Sequence, residues 1–364
     1  MSAGVYIGST TPRAGKSLLA FSLGLLFRKA GFSVGYMKPV GCIPGKKDDV
    51  TGDADAMMVQ EVLGQEASPD VLTPVMLPED IYSPALHEKH ENALGRIRDA
   101  YRILAAGKEI CLVSGVGAFP CTGYSAGADG LSVVRELDLK VLLAVRFHRR
   151  INLDGILTIR DSLGDSLIGV VLNDVQENDR RAAAEILLPW LRGRGVPVTG
   201  CIGREPALAA VRMIDLAHNL NGRIVAGNEQ ATGMVSDFLI GSMQVDNFML
   251  HLHKRADCAV ITGGDRQDLQ IAAICAGCPC IILTGNVSPV EMIRAKAEEK
   301  NVVLIRVRED AYCTARNMAR IFRAKKIRDL KQLRAGTRLV ENSLDIRLIL
   351  GSIGTQYGEP APAP

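Results

Sequence analysis

Gly8-Ser9-Thr10-Thr11-Pro12-Arg13-Ala14-Gly15-Lys16-Ser17 lies between two apolar runs, Val5-Tyr6-Ile7 before it and Leu18-Leu19-Ala20-Phe21-Ser22-Leu23-Gly24-Leu25-Leu26-Phe27 after it. That order reads strand, loop, helix, with Gly15-Lys16-Ser17 at the helix start. A helix start carries unpaired N–H groups and the positive end of the dipole, so it suits phosphate. A lysine there adds a point charge for the β- and γ-phosphates, and a serine hydroxyl can ligate Mg²⁺. The usual spacing is G-x-x-x-x-G-K-[ST]. Here Thr10 stands at the first glycine position and Gly8 lies two residues earlier, so the loop is a variant. The bland alternative is a glycine turn with a lysine at a helix start.

The rest of the chain repeats the alternation. Ser33–Met37, Ile110–Val113, Val141–Val145, Leu167–Leu172 and Val198–Ile202 read as strands, separated by helical patterns over 90–106, 129–137, 156–163 and 181–191. Short apolar runs alternating with helices predict an α/β fold with a doubly wound, mostly parallel sheet. Ligands of such sheets sit at the carboxyl ends of the strands. Lys16, Lys38, Ser114 and Asn173 all follow strands, so one edge collects the candidate residues. Lys38 is either a phosphate ligand or an exposed loop lysine. Asp53 and Asp55 open a helix over Ala56–Leu63, either as ordinary dipole partners or as ligands of Mg²⁺.

The pattern changes around 209–222, read as a connecting helix and linker. A second, smaller α/β unit is expected to follow to about Arg323. Its strands are expected at Ile224-Val225, Ala259–Ile261, Ile281–Leu283 and Val302–Ile305, its helices at 245–254, 267–276, 289–299 and 311–323. Ser288-Pro289 would open the third of these helices. The expected domains are therefore 1–209 and 210–323, with 324–364 as a partly helical basic segment ending in a Pro/Ala tail that cannot pack.

Composition narrows the function classes. Hydrophobic residues make up 47% of the 364, ample for two cores, and aromatics only 4%. A net charge of +3 with no interleaving of basic and aromatic residues argues against nucleic acid. Nothing approaches the ~18 consecutive apolar residues of a membrane span, and the early first strand leaves no room for a signal peptide. The cysteine count, nine, is odd, and several thiols fall within apolar runs, as expected of reduced thiols in a cytoplasmic protein. Cys275, Cys278 and Cys280 lack a second ligand pair at zinc-module spacing and read as buried thiols. His251 and His253, two apart, do not share a helix face. His148-Arg149-Arg150 reads as a solvated basic loop or an anion contact.

Taken together, GSTTPRAGKS, Gly35-Tyr36-Met37-Lys38-Pro39-Val40, Asp55-Ala56, Val113-Ser114-Gly115-Val116-Gly117 and Val171-Leu172-Asn173-Asp174-Val175 resemble dethiobiotin synthetase and related phosphate-loop amidoligases in order and spacing. Residues 210–323, with Thr262-Gly263-Gly264-Asp265-Arg266, look like a DRTGG domain. The pair is similar to the N-terminal part of long phosphotransacetylases. The resemblance implies an ATP or related nucleotide site at Thr11, Pro12, Arg13, Ala14, Gly15, Lys16 and Ser17. It implies Mg²⁺ on Ser17 and Asp55, phosphoryl-transfer support from Lys16 and Lys38, and adenine reading by Asn173. Two departures follow from the same comparison. The family's strand ends in Val-Glu-Gly and its glutamate helps hold the metal; Ser114 stands there, so weaker Mg²⁺ binding is expected. About forty residues follow Arg323, too few for the phosphotransacetylase catalytic domain, so acetyl transfer is not expected. Thr11 also stands where ParA/MinD-type ATPases carry a signature lysine, which argues against their nucleotide-sandwich dimer.

These readings converge on a cytoplasmic nucleotide-binding regulatory protein. Its DRTGG domain would support a homodimer or sense a second ligand. One alternative is an ATP-dependent carboxylate-activating ligase, with substrate near Ser83-Pro84. Another is a nucleotide-independent accessory subunit docking on a separate metabolic enzyme.

Overall fold

The protein is described by a computed structural model over residues 2–78, 91–255, 257–324 and 330–355. It divides into two compact units, Met1–Arg204 with Arg328–Pro364, and Glu205–Ile327.

The first unit is built on six strands: β1 (Ala3–Ser9), β2 (Val34–Met37), β3 (Ile110–Ser114), β4 (Lys140–Arg146), β5 (Leu167–Val175) and β6 (Val198–Gly203). Their order across the sheet is β6-β5-β4-β1-β3-β2, and every pairing is parallel. The apolar runs become strands because both faces are covered by helices: Val5, Ile7, Leu112, Leu142, Val170 and Leu172 are fully buried. Helix α1 (Lys16–Lys29) is buried along most of its length, and Gly24 makes this possible. A Cβ there would stand 2.6 Å from Leu63 Cδ2, so only glycine admits the neighbouring side chain. Helix α2 (Ala54–Val62) is preceded by a hairpin, Pro44–Lys47 with Val50–Asp53. The expected helix over 181–191 forms as Arg180–Ala182, a π turn at Ala183–Leu187, and Leu188–Gly193.

The last part of the chain was expected as a segment of its own, but it belongs to this first unit. Helix Leu330–Ser343 packs along α1, with Lys29 Nζ 2.7 Å from Glu341 Oε1. Leu344 forms an antiparallel bridge with Gly200, and Asp345 N donates to Thr199 O at 3.1 Å, so the exposed edge of β6 is covered. Asp345 then caps helix Ile346–Ser352. The reason is the helices' apolar face: Val340, Ile349 and Leu350 are fully buried.

The second unit has a five-stranded sheet of β7 (Arg223–Ala226), β8 (Asp237–Gly241), β9 (Cys258–Gly263), β10 (Cys280–Thr284) and β11 (Val303–Arg306), in the order β7-β11-β10-β9-β8. All neighbours are parallel except β7 with β11. One face packs on Phe248, Leu269, Ile274 and Ile293, the other on Met213, Leu216 and Met318. β8 is an addition to the expected strands. The helix expected from Pro289 begins at Glu291, with Val290 as its N-cap.

Candidate functional site

The loop between β1 and α1 turns through two left-handed residues, Arg13 (φ 59°) and Gly15 (φ 105°). Gly15 is the N-cap of α1, and a Cβ on it would lie 2.1 Å from Asn173 Nδ2. Glycine is therefore required twice, for the backbone angle and for the close approach. Asn173, on β5, donates from Nδ2 to Ala14 O at 2.9 Å, which leaves its Oδ1 as the acceptor of the carboxamide. α1 has neither a side-chain cap nor an acidic residue in its first turn, so its first N–H groups are presented to a ligand.

Lys16 Nζ donates to Ser9 Oγ and to Gly117 O, each at 2.7 Å. Ser9 Oγ lies 2.7 Å from Thr11 O and 3.0 Å from Gly117 O, tying the phosphate loop to the loop after β3. Burial, and next the nearby Lys38 charge, pull the Lys16 ammonium down to about 8, with Cys42 and Asp55 acting in the opposite sense.

Lys38 directly follows β2 and is buried, with Nζ 2.7 Å from Asp53 Oδ1. Asp53 is fully buried and receives five hydrogen bonds. Oδ1 accepts from Lys38 Nζ and from the backbone N of Asp55 (2.9 Å) and Ala56 (3.1 Å); Oδ2 accepts from the N of Cys42 (3.0 Å) and Ile43 (3.2 Å). Burial works against its charge, but the Lys38 ammonium and the bonds from Lys38, Cys42 and Ala56 outweigh it. They hold the carboxyl below the ordinary aspartate value. Asp55 lies in the first turn of α2, and its charge is felt at Lys16, Cys42 and Tyr36.

Ser114 ends β3, paired opposite Ile7, and is buried. Burial, foremost, raises the pKa of the Tyr36 phenol on the neighbouring strand. The residues expected to hold a metal, Ser17 and Asp55, carry a hydroxyl and a carboxylate. These are hard oxygens, and they fit a Mg²⁺ ion that keeps waters and takes further ligands from phosphate. Among the described residues no group of three or more His, Cys, Asp or Glu side chains could hold a metal ion.

The expected residues therefore meet at one edge: the loop from Thr11 to Ser17, Lys38, Asp55 and Asn173. Three further residues hold these in place, one of them, Asp53, already a candidate dipole partner or Mg²⁺ ligand. Asp53 holds Lys38, and Ser9 and Gly117 hold Lys16. Asp53 is the N-cap of α2, as its place before an apolar helical run favours. Ser83-Pro84 and the Pro/Ala tail lie outside the described residues. Arg149 is paired with Asp179 at 3.0 Å. Cys278 is buried, with Sγ bonded to Cys258 O and Cys280 O, and all nine cysteines are free thiols. A cavity of about 650 Å³ opens at the opposite, amino-terminal edge of β1 and β4, among Gly4, Tyr101, Leu137 and Lys140. No helix among the described residues is long and apolar enough to cross a membrane.

Comparison with known proteins identifies two domains in the chain. A family model described as an AAA domain matches residues 3–212, and a DRTGG domain model matches 215–321. Phosphate acetyltransferase of Pseudomonas putida is 24% identical over 363 residues, 94% of this chain and 51% of that protein. The ATP-dependent dethiobiotin synthetases of Thermodesulfovibrio yellowstonii and Methanococcus vannielii are 31% identical over 122 residues and 28% over 181. These cover 32% and 48% of this chain, and 50% and 80% of those proteins. The chain thus spans about half the length of the phosphate acetyltransferase it matches. Among solved structures, FtsY of Thermotoga maritima is 14% identical with a TM-score of 0.36, covering 56% of this chain and 63% of that one. The CBS and DRTGG domains of a Clostridium perfringens pyrophosphatase, complexed with the activator diadenosine tetraphosphate, are 14% identical with a TM-score of 0.27, covering 40% and 71%. The chain belongs to the family of that AAA domain, a dethiobiotin-synthetase-like phosphate-loop domain, and carries a DRTGG domain after it in the sequence.

Proposed function

We propose that the chain binds ATP or a related nucleoside triphosphate with Mg²⁺ at Gly8–Ser17 and uses it as a regulatory signal. The observation that carries this reading is the uncapped start of α1 beside a lysine held only by neutral oxygens, Ser9 Oγ and Gly117 O. Phosphate oxygens compete well against such partners. Backbone N–H groups from Thr11 to Ser17 would cradle the phosphates, and Lys16 would neutralise them. Ser17 and Asp55 would hold Mg²⁺, whose chemistry is to neutralise and orient the phosphates. Asn173 Oδ1 would accept from the adenine amino group. The DRTGG domain would mediate dimerisation or sense a second ligand, and the free thiols suit a reducing cytoplasm.

One observation favours regulation over catalysis: β3 ends in the neutral Ser114, where the resemblance expects a metal-holding glutamate. A second reading is an ATP-dependent carboxylate-activating ligase, supported by the dethiobiotin synthetase relatives. There Lys16 and Lys38 would stabilise the transferring phosphoryl group. Isothermal titration calorimetry with ATP, ADP and GTP, with and without Mg²⁺, tests the first reading, and no binding at millimolar nucleotide overturns it. ATP turnover stimulated by a carboxylate or diamine would favour the second. A partner enzyme retained by Lys16→Ala in a pull-down would favour an accessory subunit that needs no nucleotide.

A further inference from the structure

We infer that Asp53 and the terminal phosphate of a bound nucleoside triphosphate compete for Lys38, so that Asp53 sets how strongly the site prefers a triphosphate over a diphosphate. The inference rests on the nucleotide-binding reading above. Lys38 follows β2, whose carboxyl end lies beside β3 and next but one to β1, at the edge that carries the phosphate loop. Lys38 is also close enough to Lys16 for its charge to bear on the Lys16 ammonium. In a phosphate loop the backbone cradle takes the α- and β-phosphates and the loop lysine the β- and γ-phosphates. The group left to meet a second lysine on a neighbouring strand is the γ-phosphate.

The two lysines are held differently. Lys16 rests on a hydroxyl and a carbonyl, neither charged. Lys38 is held by a fully buried carboxylate at 2.7 Å. That carboxylate does not depend on Lys38 for its hydrogen bonds, because four backbone N–H groups remain on it when Lys38 turns away. Lys38 can therefore be drawn off without leaving Asp53 unsatisfied. An ammonium has three donors, so turning toward a phosphate requires rotation of the lysine stem only. Asp53 acts as a positioning residue in this arrangement. It holds Lys38 back until a ligand reaches far enough to compete.

The test is calorimetric titration of the full chain with ATP and with ADP, in Mg²⁺ and in EDTA. The proteins are the wild type, Asp53→Asn, Lys38→Met and the double variant. Freeing Lys38 adds one charge-assisted contact to the γ-phosphate, so Asp53→Asn should raise the ATP-over-ADP affinity ratio on the order of tenfold. Lys38→Met should lower that ratio severalfold with ADP affinity unchanged, and in its background Asp53→Asn should no longer alter it. A purely structural role for Asp53 would change both nucleotides alike, and that outcome overturns the competition. If Asp53→Asn does not fold, Lys38→Met decides alone: an unchanged ratio overturns the inference. A wild type that binds neither nucleotide overturns the nucleotide-binding reading and this inference with it.

Discussion

Removing the residues after Ile327 should unfold the phosphate-loop unit although every loop residue is kept. Val340, Ile349 and Leu350 are fully buried and Leu344 is 7% exposed. Burying a large aliphatic side chain contributes about 1.5–3 kcal/mol, so these four are worth about 6–12 kcal/mol together, an upper figure because unfolded chains already bury some surface. Whole-domain stability is about 5–15 kcal/mol. The loss also strips the cover from the edge of β6 and from the outer face of α1. Thermal unfolding followed by circular dichroism should show a transition for each unit in the full chain. In the chain ending at Ile327, the transition of the 205–327 unit should survive while that of the phosphate-loop unit is lost. In the full chain, Ile349→Ala should cost about 2–5 kcal/mol in chemical denaturation. Two unaltered transitions in the shortened chain would refute the reasoning, since residues 330–352 would then be an appendage.

Three further outcomes follow from the site. Gly15→Ala should cost about 1–3 kcal/mol for a side chain at positive φ, and should displace Asn173 and weaken nucleotide binding; denaturation and calorimetry read the two effects. Lys16 carries its proton below about 8, so nucleotide affinity should fall as pH rises through that value. Binding near it should take up protons, measured as a dependence of the calorimetric heat on buffer ionisation. Its depressed pKa also means that the charged form disfavours the fold at neutral pH, so Lys16→Met should raise the melting temperature while abolishing binding. Asp53 has a folded pKa below its unfolded one. Its stabilisation is therefore complete above the unfolded aspartate pKa, about 3.9, and is lost as pH falls through the folded value. Asp53→Asn should cost about 3–5 kcal/mol at neutral pH and flatten the acid limb of the stability profile.

How far the sequence could be read depended on whether burial left a mark on it. The five strands expected in the first sheet after β1 were visible as apolar runs because helices cover both faces. β8 escaped notice because it is an edge strand: Asp237 is exposed and Ile240 is 37% exposed, so its apolar run is short. The hairpin before α2 is polar and largely exposed, and its signal lay in the turn, where Asp48 and Asp49 both take positive φ. Lys16 was legible because Gly-Lys-Ser after a strand has a mechanism attached to its spacing. Asp53 and Asp55 both stay open as dipole partners or Mg²⁺ ligands on sequence alone, because a sequence does not show which of the two carboxylates turns inward. That depends on the residue at which α2 begins, and the cap is Asp53 itself. The C-terminal helices were legible as amphipathic, but their partner, α1, lies some three hundred positions earlier, beyond any local pattern.

The interruption of the first unit by the second has a consequence for synthesis. A chain leaves the ribosome from its amino end, and domains ordinarily fold in that order. Here the 205–327 unit has all its strands before Leu330 emerges, whereas the phosphate-loop unit, begun first, lacks the cover for α1 and β6 until residues 330–345 are made. The inserted unit should mature first, and the older sheet should wait with an open edge. In that interval the nascent chain would depend on chaperones to keep β6 from pairing with a neighbour.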